Sequence, residues 1–187
     1  MKPHAPSFVA RVTPLSIVLS LTLLAACTSM ASTYSQDSLP DSVKVPAGHR
    51  VAMQTVGVGE ITYECRVKKD VADQFEWTFI GPDAALNDRS GMKVGKYYGP
   101  PATWENADGS KVTGAQVAVA PAGAGNIPHQ LVKANPASGG GAMSGVTYIQ
   151  RVATAGGVAP ATVCDAGKAG VKQNVRYQAD YIFWKAA

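Results

Sequence analysis

The residues best suited to chemistry crowd into one stretch. "KYYGPPATWENADGSK", at 96–111, holds Tyr97, Tyr98, Trp104, Glu105 and Asp108. Aromatic rings offer flat apolar faces to a sugar, a small molecule or a partner protein, and carboxylates accept hydrogen bonds. If the stretch is a loop, these five residues form a ligand-binding surface. The plainer reading has Tyr98 and Trp104 capping the core while Asp108 shapes a hairpin turn. Asp-Gly is common in turns for conformational reasons alone, which favours that second reading. Glu105 and Asp108 also raise the possibility of a hydrolase. A glycosidase pair must stand about 5 Å or about 6.5–9.5 Å apart, which sequence spacing does not supply. Solvated turn carboxylates account for both residues without strain and are the favoured reading.

Other constellations are weaker. His49 and His129 lie far apart and lack the short spacing of a motif such as H-E-x-x-H. A metal site would need them to converge with Glu60 or Glu64, and ordinary surface histidines are the simpler expectation. Ser110 and Ser144 have glycine neighbours, but neither sits in G-x-S-x-G. "GVGEIT" and "GAGNIP" each carry only the first two glycines of a dinucleotide fingerprint, and Pro128 is a poor residue to open a helix there. No catalytic residue, metal ligand or cofactor is assigned on these grounds. Arg151 follows the apolar pair Tyr148-Ile149, and two roles stay open for it. It pairs with a carboxylate inside the fold, or it presents one to a ligand.

The elements that position these residues are strands. "EITYECRV" (60–67) places Ile61, Tyr63, Cys65 and Val67 on one face by the period of two. "FEWTFIG" (75–81) does the same with Phe75, Trp77 and Phe79, and "VRYQADYIFWK" (175–185) with Val175, Tyr177, Ala179, Tyr181 and Phe183. "RVAMQTVGV" (50–58), "KVTGAQVAVA" (111–120), "HQLVKAN" (129–135) and "GVTYIQRVAT" (145–154) repeat the theme. Turns are predicted at "GVG" (57–59), "GPD" (81–83), "ADGS" (107–110), "ASGGGAMSG" (137–145) and "AGG" (155–157). Asp108-Gly109 between two such runs is a strong hairpin signal. One helical turn is predicted over "PDAALND" (82–88), and no stretch shows a sustained helical stripe. The fold predicted is a single all-β domain, an antiparallel sandwich or barrel.

Composition agrees. The 187 residues include 19 Gly and 12 Pro, enough for many turns. Only 16% are charged, against a usual ~25%. The formal net charge of +4 is scattered apart from "RVKK" at 66–69, which argues against a nucleic-acid partner.

The amino terminus is of another kind. Residues 1–14 carry Lys2 and Arg11 and no acid, and "LSIVLSLTLLAA" (15–26) is uncharged. A basic segment followed by about a dozen apolar residues is the pattern of an export leader. It is short for a membrane span, which needs ~20. The run ends Leu24-Ala25-Ala26-Cys27, which resembles the lipobox of bacterial lipoproteins. The resemblance implies cleavage after residue 26 and a diacylglycerol on Cys27, a membrane anchor through lipid. Residue 28 is Thr rather than Asp, which resembles outer-membrane lipoproteins, facing the periplasm or the exterior. Residues 27–44 then form a flexible tether and 45–187 the β-domain. With Cys27 lipidated, Cys65 and Cys164 remain as an even pair in an oxidising compartment, so a disulfide between them is implied. Neither lies in a recognisable nucleophile motif.

Several motifs occur together and in order: "GVGEITYEC" (57–65), "WTFIGPDAALND" (77–88), "GKYYGPPATWENADGSKVTG" (95–114), "GNIPHQLVKA" (125–134) and "GVTYIQRVATAGGVAP" (145–160). Cys164 and "VRYQADYIFWK" close the set. This pattern, from about Val45 to Lys185, resembles the exported bacterial and fungal proteins grouped as domain of unknown function 3455. Glu60 stands where that family often has Gln, and His129 where it often has Trp. Some fungal members carry a dehydrogenase label, which the incomplete glycine motifs here do not support. The family supplies no catalytic residues to carry over. The resulting expectation is a lipid-anchored envelope protein that binds a glycan, a small molecule or an envelope protein without catalysis. The alternative is a hydrolase acting on envelope or extracellular polymers.

Overall fold

The structure is a computed structural model that describes residues 1, 2, 4 and 34–187. Cys27, nearly all of the expected leader and the first part of the expected tether lie outside the described residues. From Tyr34 onward the chain is all β: β1 (His49–Val67), β2 (Phe75–Asn87), β3 (Lys93–Tyr98), β4 (Thr103–Asn106), β5 (Lys111–Ala120), β6 (His129–Ala134), β7 (Val146–Gly156) and β8 (Lys172–Ala186). Each strand pairs antiparallel with the next, and β8 returns to pair with β1, so the sheet closes into a barrel. Closure removes the exposed edges that an open sheet would leave.

The period of two decides what lies inside. In β8 the predicted row faces the lumen, with Tyr177, Ala179, Tyr181 and Phe183 buried. Ile61 and Tyr63 join it from β1, Leu86 from β2, Ile149 from β7. The disulfide is formed between Cys65 near the end of β1 and Cys164 in the β7–β8 connection. It closes a span of 99 residues, for which chain-entropy reasoning suggests a stabilisation of about 4–5 kcal/mol.

Several local expectations are corrected. "GVG" is not a turn. Residues 50–67 form one continuous strand, and a β-carbon on Gly57 would sit 2.5 Å from the Tyr181 ring. One on Gly59 would collide with the Asp83 carbonyl. These glycines let neighbouring groups approach the β1 backbone closely. "GPD" and "PDAALND" up to Asn87 likewise belong to β2, which runs unbroken with Ala84 and Leu86 facing inward. The stretch 96–111 is no loop either. It contributes the end of β3, all of β4 and the start of β5. The hairpin at Asp108-Gly109 is where the sequence places it, with Gly109 at φ 84°.

The expected tether also ends earlier. Residues 34–45 lie docked on the outside of the barrel. Val43 is fully buried, and it packs with Val45, Leu131, Val152, Ile182 and Trp184 in a second apolar cluster. Gln150, on the outward face of β7, pins this strap. Its amide nitrogen donates to the Val43 carbonyl (2.7 Å) and to Gln36 Oε1 (3.0 Å). Its amide oxygen accepts from Trp184 Nε1 (2.9 Å) and Tyr34 Oη (3.3 Å). Few apolar residues in 34–45 announce this, because the strap binds through only a few side chains and a buried polar network.

Candidate functional site

At one end of the barrel the core stops short of filling the lumen, leaving a cavity of about 340 Å³. Its deep wall is aromatic. Tyr97 on β3 stacks on Trp104 on β4, with ring centroids 4.7 Å apart and planes at 19°. The two residues are directly paired across the β3–β4 ladder, so strand register sets the stack. Tyr181 closes in from β8, 5.1 Å from Tyr97 and 6.0 Å from Trp104. Tyr63 lines the side, and its hydroxyl donates to the Gly157 carbonyl at 2.7 Å. Phe79, 53% exposed, stands at the mouth with its ring edge-on to Tyr63.

The polar groups are few and placed at the opening. Gln130 Nε2 donates to Gln116 Oε1 at 2.7 Å across β5 and β6. Arg151 on β7 pairs with Gln130 on β6 in the ladder. Its Nε and Nη2 both donate to the Pro128 carbonyl, at 3.2 and 3.0 Å. No carboxylate pairs with Arg151 among the described residues. Its charge is felt through the end of the barrel. Burial pushes the Tyr97 and Tyr63 hydroxyls up, and the Arg151 charge pulls both partly back. At His129, between two cavity residues, burial lowers the pKa and the Arg151 charge lowers it further. Trp104 is 1% exposed, and its indole N–H has no acceptor.

Among the described residues, the lining contains no Asp, Glu, His, Ser, Thr, Cys or Lys. Phenols held above their ordinary range and a guanidinium supply hydrogen bonds and charge. They supply neither an activated nucleophile nor a general base at neutral pH.

Residues 46–185 match the family described as protein of unknown function, DUF3455. The chain belongs to this family. No curated protein and no solved structure matches it.

The DUF3455 barrel separates the five residues singled out in the sequence. Tyr97 and Trp104 form the cavity wall. Tyr98 and Glu105 face outward, where Tyr98 Oη donates to Glu105 Oε2 at 2.7 Å and Lys96 Nζ lies 3.4 Å from Glu105 Oε1. Those contacts hold the Glu105 carboxyl below its usual range, the Tyr98 hydrogen bond first and Lys96 second. Asp108 ties two turns together. It accepts from Ser110 Oγ (2.6 Å) and Ser110 N (2.8 Å), and from Ala142 N (2.8 Å) in the β6–β7 connection. Neither carboxylate reaches the cavity, so the surface predicted from the five as a group is split between wall, exterior and turn.

The other candidates are also placed. His49 packs edge-on against Tyr148, with its Nδ1 3.0 Å from the Pro46 carbonyl. His129 Nδ1 is buried without a partner. Glu60 accepts from Asn174 Nδ2 at 3.0 Å, away from the cavity. Among the described residues no three His, Cys, Asp or Glu side chains gather as a metal site. Sequence reasoning passed over Phe79, Gln116 and Gln130. Period two put Tyr63 on one face of its strand and Phe79 on one face of another, but only barrel closure brings them to the end of the lumen opposite Gln116 and Arg151.

Proposed function

We propose that this protein is a lipid-anchored envelope protein whose barrel binds a small, largely apolar ligand without transforming it. One observation carries the reading: an aromatic-walled cavity whose polar groups are few, convergent and devoid of a nucleophile or base. Small-molecule sites have this composition, and barrel mouths are a common place for them. At about 340 Å³ the cavity is near the lower end of the ~300–1,000 Å³ typical of such sites, which suits a ring-sized ligand. Export to an oxidising compartment is consistent with the disulfide and with the leader ending at Cys27.

Two measurements test the reading. Tryptophan fluorescence of the full chain in detergent is titrated with a panel of aromatic and alicyclic compounds. Saturable quenching is expected, and it disappears when Ala102→Trp fills the cavity. A panel in which nothing binds, or in which binding survives that substitution, overturns the cavity as the site. For the anchor, Cys27→Ser is expected to release the protein from the membrane fraction, and unchanged fractionation overturns it.

A further inference from the structure

The cavity has one feature that an apolar ligand alone leaves unused, Arg151. Pro128 holds its guanidinium by Nε and Nη2, which leaves Nη1 without an acceptor among the described residues. A cation fixed by a backbone carbonyl and facing no carboxylate is poised for an anion from outside the protein. Arg151 lines the same small space as the stacked Tyr97 and Trp104 rings.

We infer that the cavity selects a planar organic anion, an aromatic or conjugated carboxylate. Its ring lies against Tyr97 and Trp104 and its carboxylate meets Arg151 at the opening. This rests on the small-ligand reading above and adds the charge and shape of the ligand. The carboxylate stays near water, so its desolvation is partial, while the ring fills the apolar depth. Gln116 and Gln130 already bond to each other at the rim, and their remaining amide hydrogens add neutral donors beside the guanidinium. Among the described residues the lining has no negative side chain to oppose the anion.

A matched pair of probes tests this on the full chain in detergent. 1-Naphthoate and 1-naphthamide share shape and ring and differ in charge. Isothermal titration is expected to show naphthoate binding at least about tenfold tighter, the scale of one charge-assisted contact. The advantage should shrink as salt rises. Arg151→Gln should erase it by weakening naphthoate to the level of naphthamide, with naphthamide itself unchanged, and Arg151→Lys should retain part of it. Equal affinities in the unaltered protein overturn the anion inference without recourse to any variant. So does an Arg151→Gln protein of unchanged melting temperature that still prefers naphthoate. If both probes bind equally and Ala102→Trp blocks both, the small-ligand reading stands and only the anion inference falls. If neither binds, both fall.

Discussion

Two buried tryptophans, on opposite sides of the barrel wall, are treated differently. Trp184 faces outward under the strap, and its indole N–H donates to Gln150 at 2.9 Å. Around it every valence of the Gln150 amide is used. Trp104 faces inward and is buried at least as deeply, yet its N–H has no partner and open space lies beside its ring. Burying a polar group without a hydrogen bond costs about 1–3 kcal/mol. The outer region avoids that cost by bonding every group, as a purely structural cluster should. The inner region accepts it where a ligand has room to enter.

The largest expected effect is on the outer side. Gln150→Leu would strand the Val43 carbonyl and the Trp184 N–H together, and is expected to cost about 3 kcal/mol or more in urea unfolding. A loss under about 1 kcal/mol would show the strap to be a weak accessory and undo the contrast. The two indoles give the direct test. Trp184→Phe should destabilise by about 1–2 kcal/mol, since it leaves the Gln150 oxygen short of a donor. Trp104→Phe removes an N–H that has no partner, so the lost hydrogen bond contributes nothing and only the volume change remains. It should destabilise less than Trp184→Phe and weaken ligand binding, whereas Trp184→Phe should leave binding intact. The reverse ranking would assign the inner site a structural role.

The smallest effects concern titration. His129 has a folded-state pKa lowered by burial and by Arg151. The unfolded chain therefore takes up protons first, near the ordinary pKa of about 6.5. Stability contributed by the neutral ring is complete above that pH and is lost as pH falls through the folded pKa. A shallow decline below about pH 6.5 is expected, absent in His129→Gln. Glu105→Gln, outside the cavity, should leave ligand affinity unchanged.

The strands at 111–120 and 129–134, the inward row of β8 and the hairpin at Asp108-Gly109 were legible because each depends on neighbours in the chain. Period-two patterning and turn chemistry are local physics. The same reasoning failed at Gly57, Gly59 and Gly81, since a glycine admitting a close backbone approach looks identical to one making a turn. It also failed for β3 and β4, short strands joined through Gly99-Pro100-Pro101, which resemble a loop in composition. Tyr97 and Trp104 were singled out from the sequence, while most of the residues that line the same cavity were not.

The linear order of residues was enough for an all-β class, the family and the pairing of Cys65 with Cys164. Each of these is a matter of side-chain type and spacing along one chain. Which rings share a wall, which carboxylates turn away, what the strap covers and where Arg151 comes to rest were decided by closure of the barrel. Closure sets β1 against β8 and brings β3, β4 and β7 around one lumen. Contacts between residues so distant in the chain leave no periodic trace in it.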